Sequence, residues 1–241
     1  MVGKTVTSLH SLINSSLLHN KEGVLLAQKH GYRTSSITGG ELSTRVSGIR
    51  HFLKQKNIQM GDRVILHGAN SIEWVALYFG CILSGVVVVP LDVLTDRSLL
   101  LKIGKQVKPK ALFQDRGLPS VAIRTYYFDD IEMLDRKKKV RNLPFGKVRP
   151  NDILEIMYTS GTTGEPKGVI LTYENILAGV TFALESVQLK KSLRILHLLP
   201  LSHIFGQVIG LFVLLSFGHT IYFIDSLLKK YDVPGCELLE F

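Results

Sequence analysis

Cysteine is scarce in this chain. The two present, Cys81 and Cys236, are far apart and stand in no metal-ligand spacing. That excludes a cysteine metal site and a disulfide scaffold, and leaves two reduced thiols in a protein expected to be cytoplasmic. No signal peptide is expected either: MVGKTVTSLHSLINSSLL has no unbroken apolar stretch and no small-residue cleavage site behind one. Long uninterrupted apolar runs are lacking too. WVALYFGCILSGVVVVPL from Trp74 and GQVIGLFVLLSFGHTIYFI from Gly206 approach the length of a membrane span. Ser84-Gly85 interrupts the first, and Ser216 with Gly218-His219 the second, where helical spacing gives way to a β-branched run. Helix, glycine stop and buried strand is the reading for both. A parallel strand buried on both faces is expected to be apolar throughout.

Acidic residues are fewer than basic ones, 20 against 29, giving a net charge of +9. Such a surface attracts polyanions such as nucleotides, acidic membranes or nucleic acid. The basic residues are not arranged as a nucleic-acid site. Arg136 to Lys139 with Arg141 lies in an aperiodic stretch with turn signals, and Lys102, Lys105 and Lys108 share one face of a helix. Neither cluster is interleaved with the aromatics that single-strand binders use, so no nucleic-acid partner is expected. Both read as solvated faces.

What is present is an ordinary globular balance: 46% hydrophobic and 20% charged residues in a chain of 241. Strand and helix signals alternate. Leu42, Val46, Ile49 and Leu53 mark a helix, and VILH after Gly61-Asp62 marks a strand. Ser71 caps a helix through Phe79, VVVVPLD is a strand closed by Pro90, and Asp96 to Val107 is a helix. ALF is a strand, as is ILEIMY after Pro150. Thr172 caps the helix in TYENILAGVTFALESV; then come a strand in ILHLLP, a helix over Ser202 to Phe217 and a strand in TIYFID. The alternation predicts an α/β fold, doubly wound, with mainly parallel sheets and helices on both faces. The first sheet is expected to hold the strands at Val64, Val86, Ala111, Ile153 and Ile195.

Between ILEIMY and the next extended segment stands YTSGTTGEPKGV, Tyr158 to Val169. It is no Walker A loop, since Pro166 stands where that motif has its second glycine, and no Gly-x-Gly-x-x-Gly follows any strand. Gly161, Gly164 and Gly168 let backbone N–H groups converge on an anion. Thr159, Ser160, Thr162 and Thr163 supply hydroxyls for phosphate or a hard cation, and Lys167 supplies a point charge. A flexible Gly/Thr hairpin turn would have the same composition. Both readings stand on the residues alone. His197 and His203 make no metal site, because no carboxylate or thiol accompanies them.

The twelve-residue loop resembles the signature of the AMP-forming adenylating superfamily, Tyr-Thr-Ser-Gly-Thr-Thr-Gly-x-Pro-Lys-Gly-Val, with Glu165 at the free position. FGCILSGVVVVPLD and ILHLLPLSHIFGQ resemble two further segments of that family, in the right order, from about Glu41 to about Asp225. The phrase LLPLSHIFGQ is most similar to the fatty-acid-activating branch. The resemblance implies the N-terminal part of an acyl-adenylating enzyme's large domain. It implies ATP, magnesium and coenzyme A as cofactors. The acid it implies is a medium- or long-chain fatty acid, expected to be converted to acyl-AMP and then to acyl-CoA. It places Thr159, Ser160, Gly161, Thr162, Thr163, Gly164 and Lys167 around the β- and γ-phosphates, with Thr162 as the magnesium ligand. Lys167 and His203 are the implied catalytic residues, His203 at the mouth of the acyl pocket.

On this resemblance, residues 1–241 are expected to form a partial N-terminal adenylation domain. The family's Tyr-Gly-x-Thr-Glu segment, its ribose-binding Asp and its small C-terminal domain with a catalytic Lys are absent from the sequence. The chain is therefore expected to be inactive alone and to need the missing half or a complementing chain. Two other classes stay open: a nucleotide-binding module without catalysis, and a basic protein of membrane surfaces or nucleic acid. Peripheral membrane contact is compatible with the first class as well.

Overall fold

The computed structural model describes residues 7–19, 21–30, 32–132, 146–159, 165–187, 189 and 193–224. The basic run Arg136 to Lys139 and Cys236 lie outside them.

The central helix, α3 (Ile72–Ser84), follows α1 (Leu9–His19) and α2 (Gly39–Gln55) and carries much of the apolar content. Ser71 caps it by accepting from the Trp74 N–H, and Gly85, with φ of 72°, ends it. Only glycine takes that left-handed turn without strain, which is why the apolar run stops there instead of continuing toward membrane length. All of α3 except Glu73 and Ser84 is buried, with Trp74, Tyr78 and Phe79 among the largest fully buried side chains. No helix among the described residues is long and apolar enough to cross a membrane.

Six strands form the larger sheet: β3 (Arg63–His67), β4 (Val87–Leu91), β5 (Ala111–Gln114), β6 (Thr125–Tyr127), β7 (Ile153–Thr159) and β8 (Lys167–Thr172), in the order β6-β5-β3-β4-β7-β8. All neighbours are parallel except β7 and β8. The period of two sends Val64, Leu66 and Val88 into the core with α3, and Ile65, Val87 and Val89 into a second core with α4 (Arg97–Val107). Helices thus cover both faces, as the alternation predicts. Asp96 caps α4, and Thr172 caps α6 (Tyr173–Ser186), which follows the short α5 (Phe128–Glu132).

Two expectations are corrected. The strand at Ile195, β9 (Arg194–Leu196), is not in the first sheet. It belongs to a four-stranded sheet of order β2-β1-β10-β9, completed by β1 (Val24–His30), β2 (Arg33–Thr38) and β10 (Thr220–Ile224). Periodicity marks a strand but not its sheet; β9 pairs with β10, whose other edge takes β1 from the start of the chain. The helix expected over Ser202 to Phe217 begins only at Ile204. It runs as α7 (Ile204–Gln207), a π-helical stretch (Val208–Val213) and α8 (Leu214–Ser216). The widened turn sits where Gly210 leaves room for the His197 ring, which a Cβ there would strike.

Candidate functional site

The signature loop joins β7 to β8. A connection this short can only return the chain antiparallel, so the loop is the tip of a hairpin on an otherwise parallel sheet. Thr159 pairs with Lys167 and Tyr158 with Gly168. Gly168 is needed there: a Cβ would sit 2.9 Å from Ile156 Cγ2 and 3.2 Å from Tyr158 Cζ. Ser160, Gly161, Thr162, Thr163 and Gly164 lie outside the described residues. Of the loop residues singled out by sequence, Thr159 closes β7 and Lys167 opens β8 with an exposed side chain.

The stems of the hairpin rest on α4. Tyr158 donates through Oη to Gln106 Oε1 at 2.9 Å, and Gln106 Nε2 donates to the Pro166 carbonyl at 3.4 Å. One turn earlier, Lys102 Nζ pairs with Glu165 Oε1 at 2.8 Å. Partial burial raises the Tyr158 phenol above its ordinary range, so it stays a donor at neutral pH.

Beside these stems opens a cleft of about 360 Å³. Pro90 and Leu91 at the carboxyl end of β4, α4, Tyr158 with Pro166, and Ser202 with His203 form its walls. Carboxyl ends of parallel strands are where open α/β sheets bind ligands. The structure brings His203 to the same cleft as the loop stems, exposed at the N-cap position of α7. Lys167 is not among the described residues that line the cleft.

Behind His203 the polypeptide is tightly held. Asn70, just after β3, donates to the Leu199 carbonyl at 2.7 Å and accepts from the Leu201 N–H at 2.8 Å, so one amide grips both sides of Pro200. Gln207 donates to the Leu201 carbonyl at 2.9 Å and accepts from Tyr78 Oη at 2.7 Å; Tyr78 Oη also lies 3.3 Å from Glu155 Oε2. Glu155, on β7 three residues before Tyr158, is fully buried. Burial pushes its carboxyl up to about 7, with Gln207 and Tyr78 opposing through hydrogen bonds. Burial and the neighbouring Glu155 push the Tyr78 phenol well up. His197 is buried with Nε2 3.2 Å from the Gly206 carbonyl, and burial lowers its pKa. It is a packing residue that steadies the start of α7.

Sequence reasoning missed Asn70, Tyr78, Glu155 and Gln207. The one available signal was Glu155, a lone acid inside the apolar strand ILEIMY. A buried charge of that kind calls for partners elsewhere in the fold.

No group of three or more His, Cys, Asp or Glu suited to a metal occurs among the described residues. Asp92 and Asp96, both on the cleft, already accept from the N–H groups of Leu94 and Leu99. Thr162, the expected magnesium ligand, lies outside the described residues. On the described residues, then, a resident magnesium site is not formed.

Comparison with known proteins agrees with this architecture. The sequence model described as AMP-binding enzyme matches residues 21–238, extending the resemblance toward the N-terminus to include β1 and β2. The chain is 28% identical to 4-coumarate–CoA ligase-like 6 of Arabidopsis thaliana, covering 93% of this chain and 44% of that protein. It is 31% identical to long-chain-fatty-acid–CoA ligase 1 of Saccharomyces cerevisiae, covering 65% of this chain and 29% of the relative. The chain thus spans less than half the length of these relatives. The crystal structure of a fatty acid AMP ligase from Legionella pneumophila superposes with a TM-score of 0.79 at 20% identity, over 93% of this chain and 40% of that one.

Proposed function

This chain belongs to the AMP-binding enzyme family, and from that premise we propose that it supplies the phosphate-loop side of an ATP-dependent carboxylic acid activation. The observation that carries the reading is the shared cleft: both stems of the YTSGTTGEPKGV hairpin and His203 meet beside the carboxyl end of β4. In such a reaction an acid oxygen bonds to the α-phosphorus of ATP while the bond from that phosphorus to the bridging oxygen breaks. Pyrophosphate leaves with the electron pair; the thiol sulfur of coenzyme A, losing its proton, then bonds to the acyl carbon while the acyl–oxygen bond to AMP breaks and AMP leaves. Positioning and neutralisation of the leaving pyrophosphate set the rate.

The chain's own residues take the following parts in this proposal. The loop from Thr159 through Gly164 and Lys167 hold the β- and γ-phosphates. His203 orients the incoming carboxylate from the opposite wall. Magnesium, arriving with the nucleotide, would add charge neutralisation, and Thr162 is the residue proposed to face it. Glu155, Tyr78, Gln207 and Asn70 keep the two walls in register without touching substrate.

A medium- or long-chain fatty acid is the proposed substrate. Its support is the exposed apolar surface beside His203, where Leu198 is 73% and Phe205 59% exposed, together with the likeness to a long-chain-fatty-acid–CoA ligase. Residues 1–241 are proposed to act as a partial N-terminal adenylation domain in the cytoplasm, with peripheral contact to membrane surfaces, and to need a complementing half for turnover. Cleft contacts alone leave the α-phosphorus poorly placed, and small misplacements of reacting atoms cost on the order of a hundredfold in rate.

Isotope exchange between pyrophosphate and ATP tests the reading with a panel of fatty acids. The expected result is weak, magnesium-dependent nucleotide binding that Lys167→Ala reduces further, with negligible exchange. Robust exchange abolished by Thr163→Ala would show that this chain is active by itself. Absence of any nucleotide binding, with tight binding to anionic vesicles instead, would overturn the proposal in favour of a membrane-surface protein.

A further inference from the structure

The reading above leaves one cation on the cleft without a part. Lys102 is the only lysine or arginine among the described residues that line it, and Asp92, Asp96 and Glu165 line it too. A polyphosphate entering there would meet three carboxylates, and Lys167 lies outside the lining. Asp92 and Asp96 accept from the N–H groups of Leu94 and Leu99, and Glu165 pairs with Lys102, Oε1 to Nζ at 2.8 Å. Both partners of that pair are open to solvent, the side chains 43% and 66% exposed. Exposed pairs of this kind contribute little and exchange easily. Phosphate oxygens concentrate more charge than one carboxylate and would compete for the ammonium.

We propose that Lys102 is a second phosphate-binding cation of this site, held in place by Glu165 until a polyphosphate takes that partner's position. The proposal rests on the cleft receiving the phosphates of ATP. Its geometry is specific to α4. Gln106, one turn along, touches both stems of the hairpin through Tyr158 and Pro166, so the helix that carries Lys102 is fixed against the loop. Lys105, on the same helix, is exposed and does not line the cleft. It serves as the control for simple loss of net charge.

Calorimetric titration of the full chain with inorganic tripolyphosphate at low salt tests this. Lys102→Met is expected to weaken binding about tenfold, equivalent to about 1.4 kcal/mol. Glu165→Gln, by removing the competing carboxylate charge, is expected to tighten binding about threefold. Lys105→Met should bind as wild type, and all three should unfold at the wild-type urea midpoint. Equal losses in Lys102→Met and Lys105→Met would overturn the proposal, leaving only a general charge effect. So would equal losses in Lys102→Met and Glu165→Gln that the swapped pair Lys102→Glu with Glu165→Lys restores, since Lys102 would then only brace the hairpin. If Lys167→Met weakens binding while Lys102→Met does not, the phosphate-loop reading stands and this inference falls. A wild-type chain that binds no tripolyphosphate overturns both.

Discussion

The two walls of the cleft are held by opposite kinds of contact. The loop wall leans on α4 through an exposed ion pair and two hydrogen bonds with Gln106, one accepted and one donated. The His203 wall is tied down by the Asn70 amide, by Gln207, and by Tyr78 and Glu155, which are fully buried. Exposed contacts can be made and broken at little cost, whereas a buried hydrogen-bonded set can be broken only by leaving a polar group unpaired. The difference implies a division of labour. The His203 wall is expected to hold its place, and the loop wall to reshape more readily around a ligand.

The largest expected effect strikes the fixed wall. Tyr78→Ala removes a fully buried ring packed near Trp74 and Phe212, and strips Glu155 and Gln207 of a common partner. A loss of about 4 kcal/mol in urea unfolding is expected. A loss below 1 kcal/mol (roughly that of an exposed site) would mean that this wall is no more rigid than the other.

Next comes a pH effect confined to Glu155. Its carboxyl titrates near 4.5 ordinarily and is pushed up to about 7 in the folded chain. Between those values the folded chain keeps a proton that the unfolded chain has released, so stability falls as pH rises through the window and levels off above it. Linkage sets the fall at about 3 kcal/mol. Glu155→Gln, which cannot ionise, should lack this component, so the gap between the two proteins should widen steadily from pH 4.5 to 7. Parallel stability curves would mean that water or a cation reaches the carboxylate and that the wall is less dry than the structure implies.

Asn70→Ala is a smaller blow to the same wall. It leaves the Leu199 carbonyl and the Leu201 N–H without their side-chain partner, with an expected cost of about 1 kcal/mol. The sharper readout is local: the His203 ring signals in an NMR spectrum should shift or broaden in Asn70→Ala and stay put in Lys102→Met. Movement in both, or in neither, would erase the contrast between the walls. The smallest effect belongs to the loop wall. Lys102→Met should change folding stability by less than about 0.5 kcal/mol, and a larger loss in urea unfolding would mark the pair with Glu165 as structural.

Local chemistry in the sequence determined a good deal of this protein. Ser71, Asp96 and Thr172 start their helices because a short oxygen side chain meets an unpaired backbone N–H. Gly85 stops α3, and the β-branched run after it becomes a strand buried on both faces. The loop motif and PLSHIFG were equally legible, since each is a contiguous stretch. Only the tertiary structure decided which sheet received Ile195, because strand pairing joins segments that periodicity treats alike. It alone brought Lys102 to Glu165, Asn70 to the turn before His203, and Tyr78 between Glu155 and Gln207, pairs 63 to 131 residues apart. It alone also widened the helix after His203 so that Gly210 could admit His197. Polar side chains carry no periodic signal of their own. Their partners are chosen by where the packed apolar faces bring the backbone, and that choice exists only once the chain has folded.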